Sequence, residues 1–398
     1  MTPEMVARAR ALTPACTKCA HLNNAGAALM PEPVLQAQIE HLRLEAELGG
    51  YEAAAAASEK VARPRHALAR LLNAAADDMV LCDSATSAWR IGLEALDLGS
   101  GQEILISRTV YASNFMTLRR LVERRGVRLR VVDSEPTGEL SITALRAAIG
   151  PQTRLIAMAH MPTNSGLINP VGEVGAIAQA AGVPFLLDAC QTVGQLEIDV
   201  REVGCDLLSG TGRKFLRGPR GTGFLYINPE LGPRLRPPAV DLYAARWSEP
   251  DGFSFFEGAR RFEQFEFNHA ARIGLGVAVD HALSWGLPQI EARVLSLAGD
   301  LRHALAGIAG VVVRDPGVTR GGIVTFTVDG HDAAAVLRAA AARRVHLGVS
   351  PDWGTLLDMR ARGLTSVVRA SVHYYNTHTE LEELLVVVRS LIRGGMCA

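Results

Sequence analysis

A lysine in the middle of a glycine-rich loop is the most reactive group that the sequence offers. Lys214 lies in the run GTGRKFLRGPRGTG, residues 210–223, and the only other lysines are Lys18 and Lys60. Glycine lets the backbone approach a ligand closely, and Arg213 should lower the pKa of the neighbouring amine. An amine of this kind can form a Schiff base with a carbonyl compound. A basic loop that binds some other anion, or a solvated turn, is the alternative.

An aspartate closes an apolar strand upstream of this loop. Asp188 lies at the end of the run VPFLLDA, residues 183–189, so its carboxylate should point into a cleft at the edge of a sheet. There it can keep a pyridine nitrogen protonated, although an aspartate in this position is as often a turn or helix cap. Three residues later, Gln191 can donate a hydrogen bond to an oxygen on the same ring.

A second strand leads into a candidate phosphate site. The run DSATS, residues 83–87, follows the apolar residues 79–82 and opens a helical pattern at 88–96. Free N–H groups at a helix amino end favour an anion, and Thr211 and Arg213 are two further donors. Plain N-capping explains the serine and threonine content equally well. A lysine amine, a ring-protonating acid and a phosphate site together meet the requirements of pyridoxal phosphate (PLP).

Short apolar runs along the chain must position these groups. They are dense in Val, Ile and Leu and mostly do not alternate, which is typical of strands buried on both faces. They lie at residues 79–82, 103–107, 127–132, 154–160, 184–189, 206–209 and 223–227. Helical patterns separate several of them, so we expect an α/β fold with a mainly parallel seven-stranded sheet and the ligand at the carboxyl ends of its strands.

The pattern changes after residue 230. Residues 231–256 show no clear periodicity, residues 268–285 are typical of a long helix, and a smaller α/β unit follows. We therefore predict three parts: an N-terminal segment at 1–25 that packs on the small domain, a large PLP-binding domain at 26–265, and a small C-terminal domain at 266–398.

Composition excludes several classes of partner. The formal net charge is zero, with 48 % hydrophobic and 21 % charged residues, which gives no reason to expect nucleic acid or an anionic membrane. The N-terminus does not resemble a targeting segment and no apolar run is long enough to span a bilayer, so we expect a cytoplasmic protein.

Of six cysteines, Cys16 and Cys19 form one C-x-x-C. Since no second pair accompanies it, we expect two thiols rather than a redox pair, and no metal site.

The run at 186–227 carries D-x-x-Q, then T-G-x-K, then G-P-x-G-x-G-F-L-Y, and it resembles the class V aminotransferase group of PLP enzymes, which includes cysteine desulfurases. Similar segments occur at residues 21–31, 160–171, 258–268 and 367–377, so the resemblance spans nearly the whole chain. It implies the PLP-dependent transferase fold type I and a homodimer with shared active sites. The segment 258–268, which matches the part borrowed from the partner, is rich in Glu and Phe where desulfurases have small polar residues.

The resemblance implies a role for each matching position. Lys214 would carry PLP as a Schiff base, Asp188 would pair with the pyridine nitrogen, and Gln191 would contact the phenolic oxygen. The positions that match the family's other cofactor contacts are Ala85, Thr86, Thr211 and Arg213 at the phosphate, Tyr111 stacked on the ring, and Asn164 between cofactor and substrate. The positions that match the subsite for the amino-acid substrate are Asn24, Ala25, Gly26 and Arg369, the last of which would bind the carboxylate.

The absence of a cysteine from one segment of the chain bears on which reaction the sequence predicts. A cysteine desulfurase of this group needs a cysteine ahead of its R-x-S motif, but residues 345–368 contain none and no cysteine occurs between Cys205 and Cys397. The segments GARRFE, RGPRGTGFL and LLDMRARGL most resemble a subgroup with C–S lyases of the ergothioneine and lincosamide pathways, near which isopenicillin-N-epimerase-like proteins lie. We therefore expect β-elimination from an S-substituted cysteine or its sulfoxide, giving pyruvate and ammonia. An aminotransferase or epimerase for another amino acid is the alternative, and a desulfurase is less expected. A non-catalytic PLP-fold protein is the alternative from another class.

Overall fold

The first part of the chain is mainly helical. The computed structural model describes residues 1–395. Its first elements are α1 (Pro3–Ala11), β1 (Ala20–His21), α2 (Glu32–Leu48), α3 (Gly50–Ala56) and α4 (Ser58–Leu72). The strand β1 pairs in parallel with a strand far along the chain, at Val345–His346, so the N-terminal segment is joined to the C-terminal part of the molecule.

A seven-stranded sheet with helices between its strands forms the next part. Its elements are β2 (Met79–Cys82), α5 (Ala85–Glu94), β3 (Glu103–Ser107), α6 (Ala112–Arg125), β4 (Arg128–Val132), α7 (Ile142–Ala148), β5 (Thr153–Ala159), α8 (Val171–Ala181), β6 (Phe185–Asp188), α9 (Val200–Val203), β7 (Leu207–Thr211) and β8 (Gly223–Ile227). The strand order is β2-β8-β7-β6-β5-β3-β4. β8 is antiparallel to both neighbours and the other pairs are parallel, so the predicted mainly parallel seven-stranded sheet is confirmed.

Both faces of this sheet are covered, as the non-alternating apolar runs predicted. Along β6, Leu186 packs into one hydrophobic cluster while Phe185 and Leu187 pack into another on the opposite face. Each of these side chains is completely buried, and burying such a residue contributes about 2 kcal/mol. The sheet is therefore a rigid platform whose carboxyl edge presents the loops after β6 and β7.

Two boundaries differ from the prediction in ways that affect the site. β7 continues past the predicted end at Ser209 to Thr211, because Thr211 still pairs with Gly223 of β8. α5 begins at Ala85 instead of residue 88, because the Ser84 side chain accepts a hydrogen bond from the backbone N–H of Ser87 and caps the helix there. The helix amino end thus lies immediately beside the strand.

An antiparallel hairpin interrupts the segment that showed no periodicity. Its strands are β9 (Ala245–Glu249) and β10 (Gly252–Phe255). Trp247 is 77 % exposed and Phe253 is 53 % exposed. Since Ala245 is the one buried residue of these two strands, apolar and polar residues do not alternate clearly enough to predict the hairpin.

The C-terminal part contains the second larger sheet. Its elements are α10 (His269–Trp285), α11 (Leu287–Ala306), β11 (Val311–Val313), β12 (Ile323–Val328), α12 (Ala333–Ala342), β13 (Val345–His346), β14 (Gly348–Pro351), α13 (Leu356–Ala361), β15 (Ser366–Ser371) and α14 (His378–Gly395). The sheet is antiparallel, in the order β11-β12-β15-β14. α10 packs on α2 and α4, whereas α11 packs on β11 and β12.

The predicted limits of the three parts, at residues 1–25, 26–265 and 266–398, stay predictions. Residues 396–398, which include Cys397, lie outside the described residues. Among the helices of residues 1–395, none combines the length and the hydropathy that a bilayer span requires.

Candidate active site

The predicted lysine lies in a cavity at the carboxyl ends of β6 and β7. Lys214 follows β7 by three residues and lines this cavity together with Asp188, the last residue of β6. Burial lowers the pKa of the Lys214 amine, and the neighbouring guanidinium groups of Arg213 and Arg369 lower it further, against opposing effects of Cys190 and Asp188. The sequence predicted that Arg213 lowers the pKa of Lys214. The structure gives the same direction, but burial is the main cause.

The carboxylate of Asp188 is held by hydrogen bonds on both oxygens. Oδ2 accepts from the Asn114 side-chain amide at 2.8 Å, and Oδ1 accepts from the backbone N–H of Cys190 at 2.9 Å. Asp188 is only 7 % exposed. These contacts fix the orientation of a buried acid at the floor of the cavity.

Most of the predicted cofactor residues share this cavity. Those that line it are Ala85, Thr86, Tyr111, Asp188, Gln191, Thr211, Arg213 and Lys214. Ala85 and Thr86 form the first turn of α5, where backbone N–H groups have no partner within the helix. An anion is therefore favoured at this wall of the cavity.

The side chains of Thr211 and Arg213 also make contacts within the protein. The Thr211 hydroxyl donates to the Thr222 carbonyl at 3.1 Å, and the Arg213 guanidinium donates to the Gly26 carbonyl. Arg220, which the sequence analysis did not single out, lines the same cavity and adds a second cation to it.

Arg369 lies beside this cavity on β15. Its Nη1 donates to the carbonyl and hydroxyl of Thr163, at 3.0 and 2.7 Å, and Thr163 itself lines the cavity. Its Nε is buried and finds no hydrogen-bond partner among the described residues. Burial, followed by the charge of Arg213, lowers the Arg369 pKa to about 10, so the guanidinium is charged at neutral pH.

The three predicted residues after β1 take different positions. The Ala25 carbonyl accepts from the Gln191 amide at 3.4 Å, and the Gly26 carbonyl accepts from Arg213. The Asn24 side chain instead donates to the Ser371 carbonyl at 2.6 Å and accepts from the Tyr375 hydroxyl. Asn24 therefore anchors the segment on the C-terminal sheet, while Ala25 and Gly26 contact cavity residues.

Asn164 lies next to the cavity and contacts the segment in which the sequence lacks a cysteine. Its amide donates to the Asp358 carboxylate at 2.7 Å. Asp358, on α13, also pairs with Arg362 at 3.0 Å and with Arg108 at 3.5 Å. Asp358 is 1 % exposed, so α13 is tied to the site by a buried acid that the sequence analysis missed.

Several residues of the cavity were not predicted, and three of them stand beside one that was. Asn114 lies one helical turn after Tyr111, Thr163 precedes Asn164, and Cys190 lies inside the D-x-x-Q motif. The spacing of Tyr111 and Asn114 was the one usable signal, because residues three apart share a helix face. Burial, and then Asp188, raises the pKa of the Cys190 thiol above its usual range, so this thiol is protonated at neutral pH.

Comparison with known proteins extends the resemblance over almost the whole chain. The family model described as "Aminotransferase class-V" matches residues 20–384. A "Probable cysteine desulfurase" of Methanothermobacter thermautotrophicus is 29 % identical over 370 residues, 92 % of this chain and 92 % of that protein. Another, of Xylella fastidiosa, is 32 % identical over 349 residues, 84 % of this chain and 82 % of its own length. The apo structure of a cysteine desulfurase from Thermococcus onnurineus NA1 is 26 % identical, with a TM-score of 0.92 and 99 % of both chains covered.

These matches decide several expectations. The resemblance, the fold type I architecture and the PLP cofactor are confirmed. The predicted reaction was wrong: we expected a lyase for S-substituted cysteines, ranked an aminotransferase or epimerase second, and placed a desulfurase below both. The relatives and the structural neighbour named above are all desulfurases. The prediction of a lyase depended on one absent cysteine, whereas the similarity to a protein named a probable cysteine desulfurase covers 92 % of the chain.

Proposed function

The chain belongs to the class V aminotransferase family, and from that membership we propose that it is a cysteine desulfurase that removes sulfur from L-cysteine. The observation that carries the proposal is the similarity of 92 % of the chain to a relative named a probable cysteine desulfurase. It is supported by Lys214 and Asp188, which line one cavity, and by Arg369, which contacts Thr163 at the edge of that cavity.

The cavity contains a candidate residue for each contact that PLP requires. Lys214 would bond covalently to the cofactor's aldehyde carbon through an amine whose pKa is already lowered. Asp188 would keep the pyridine nitrogen protonated, and the first turn of α5, with Arg220, would hold the phosphate. The side-chain oxygen Oε1 of Gln191 is buried and has no hydrogen-bond partner among the described residues. This is expected of an atom that contacts a polar group of a bound molecule. The bound cofactor supplies the electron sink that makes the substrate Cα–H acidic.

Residues of this chain would orient the amino acid and move its proton. Arg369 binds the carboxylate, since a planar guanidinium matches it with two parallel hydrogen bonds. Thr163 and Asn23 hold the guanidinium in place, at 2.7 and 3.4 Å. Lys214 would be the base at Cα, because its amine is unprotonated at a lower pH than that of an ordinary lysine.

The sulfur acceptor would be a thiol from another molecule. In the balanced reaction, L-cysteine and an acceptor thiol give L-alanine and an acceptor persulfide: the Cβ–S bond breaks, an S–S bond forms, and the carbon skeleton keeps the electron pair and a proton. Residues 345–368 contain no cysteine, and the Cys190 thiol in the cavity is protonated and therefore a poor nucleophile. A thiol from another molecule could accept the sulfur without a cysteine in residues 345–368 and without Cys190.

We also propose that the enzyme is a homodimer with shared active sites. The hairpin β9–β10 exposes Trp247 and Phe253, and α3 exposes 77 % of Tyr51. Large exposed aromatic side chains are enriched at protein–protein interfaces.

The test is a product analysis with L-cysteine. The PLP-loaded enzyme is incubated with L-cysteine and dithiothreitol as acceptor thiol, and alanine, sulfide and pyruvate are measured. We expect alanine and sulfide in equal amounts, with turnover unchanged in Lys60→Ala and lost in Lys214→Ala. Pyruvate in place of alanine, or no turnover of L-cysteine, would contradict the proposal.

A further inference from the structure

Three metal-ligating side chains come together outside the candidate active site, where β1 meets β13. The ligand atoms of Cys19, His21 and His346 all lie within 4.8 Å of one another. His21 and His346 are direct partners in the parallel pairing of the two strands, so their imidazole rings project from the same face. The two residues are 325 positions apart in the chain, and only the fold brings them together.

The separation of the two histidines matches a tetrahedral metal centre. Their Nδ1 atoms are 3.3 Å apart, and their rings are edge to face at 88°. Two nitrogen ligands at normal zinc distances of about 2.0–2.1 Å stand about 3.3 Å apart in tetrahedral geometry. The sulfur and nitrogen ligands of such a centre stand about 3.6 Å apart, so the Cys19 side chain needs to move by about 1 Å at most.

A hydrogen bond fixes the tautomer of His21 in the form that a metal requires. Its Nε2 is 2.9 Å from the Ala27 carbonyl oxygen. A carbonyl only accepts, so Nε2 carries the proton and Nδ1 presents its lone pair towards His346. Metal-binding histidines commonly have a carbonyl or carboxylate on the second ring nitrogen, and this contact is independent of the clustering itself.

From these contacts we propose that Cys19, His21 and His346 bind one divalent transition metal, with Zn²⁺ the best match. Two imidazoles and one thiolate suit a borderline-soft ion. A water molecule would complete the tetrahedron on the side of His346, which is exposed. On binding, the Cys19 thiol releases its proton to solvent and becomes the thiolate ligand.

Cys19 is the indispensable ligand of this site. Arg338 lines the same shallow cavity as both histidines and opposes a dication electrostatically. Two neutral imidazoles do not offset this repulsion, whereas a thiolate supplies a full negative charge. Loss of Cys19 should therefore abolish binding, while loss of the exposed ligand His346 should weaken it by more than the roughly 10- to 100-fold that loss of an outer-shell partner costs.

The metal would brace the subsite for the substrate carboxylate without touching the substrate. Asn23, two residues after His21, accepts a hydrogen bond from Arg369 at 3.4 Å. Gly348, two residues after His346, lies so close to Arg369 that a Cβ there would be 3.1 Å from its Nη2. An ion between β1 and β13 would hold together the two strands that lead into Asn23 and Gly348, the residues that contact this arginine. The role is structural and stands whether or not L-cysteine is the substrate.

The test measures metal content and metal spectra of the PLP-loaded full-length protein. The protein is stripped with a chelator and titrated with Zn²⁺ or Co²⁺ alone. We expect one Zn²⁺ per chain by elemental analysis and, with Co²⁺, the visible and near-ultraviolet bands of a tetrahedral thiolate site. Cys19→Ser should reduce bound Zn²⁺ to below about a tenth per chain, and His346→Gln should weaken binding as given above.

The matched control is Cys16→Ser, because Cys16 belongs to the same C-x-x-C but not to the cluster. It should retain one Zn²⁺ per chain, and unchanged cofactor absorbance in every variant shows that each has folded. Three results would each overturn the proposal. The first is wild-type protein that binds no Zn²⁺, and the second is Cys19→Ser protein that binds as much Zn²⁺ as wild type. The third is metal-free protein that contains a Cys16–Cys19 disulfide under reducing conditions.

Discussion

At the scale of single residues, the protonation of Lys214 determines how readily the protein takes up its cofactor. Only the neutral amine attacks an aldehyde, so a lowered pKa makes the group reactive at a lower pH. Burial is the main cause of the lowering and Arg213 is a second one.

This predicts the pH dependence of cofactor uptake. The rate at which cofactor-free protein binds PLP, followed by absorbance, should rise with pH and level off below pH 10.5, the ordinary value for a lysine. Arg213→Gln removes one cation near the amine and should move the midpoint to higher pH. Arg154→Gln, on the surface, should leave it unchanged. A wild-type midpoint at or above 10.5 would refute this explanation.

The geometry of Arg369 makes a second prediction. Lysine keeps the positive charge but loses the planar pair of donors, so Arg369→Lys should raise KM for the amino acid about 10- to 100-fold, or about 1.5 to 3 kcal/mol, with a smaller change in kcat. Steady-state kinetics measure both constants. Arg360→Lys, exposed on α13, is the control. An unchanged KM in Arg369→Lys would mean that the carboxylate binds elsewhere.

At the scale of elements, α13 is held by one buried acid. Asp358 accepts from Asn164 and pairs with Arg362 and Arg108. Removing one partner of a buried ion pair leaves the others desolvated and uncompensated.

We therefore predict that Asp358→Ala lowers the free energy of unfolding by about 3 kcal/mol in denaturant titrations of the cofactor-loaded protein. Asp300→Ala removes the exposed ion pair with His378 and should cost less than about 1 kcal/mol. Equal losses in the two variants would show that the Asp358 contacts do not stabilise α13.

The position of Asp188 and Lys214 at one edge of the sheet was predictable from the sequence, whereas their roles stay predictions. A buried strand has a recognisable apolar run, and its carboxyl end fixes where the next residues point. The contact of Asp358 with Asn164 was not predictable, since it joins residues 194 positions apart. The same holds for His21 and His346, whose pairing depends on where β1 docks. The hairpin β9–β10 was missed because Ala245 is the one buried residue of its strands.

At the scale of the whole molecule, the exposed aromatic residues of the hairpin should be covered by a second copy of the chain. The double variant Trp247→Glu/Phe253→Glu places charges on both strands and should convert a dimer to a monomer in light-scattering measurements. Val318→Glu, at a residue 78 % exposed elsewhere, should remain dimeric. A monomeric wild-type protein would contradict the proposed assembly. The expected cytoplasmic location stays a prediction.

The proposed chemistry requires, above all, a covalent link between the cofactor and one lysine. Borohydride reduction of the PLP-loaded protein makes this link permanent, and mass spectrometry of its peptides then identifies the modified residue. The chain has only three lysines, so the assignment is unambiguous. We predict a pyridoxyl phosphate group on Lys214 and none on Lys18 or Lys60. Modification at either of those, or none on Lys214 in protein saturated with cofactor, would contradict the central claim.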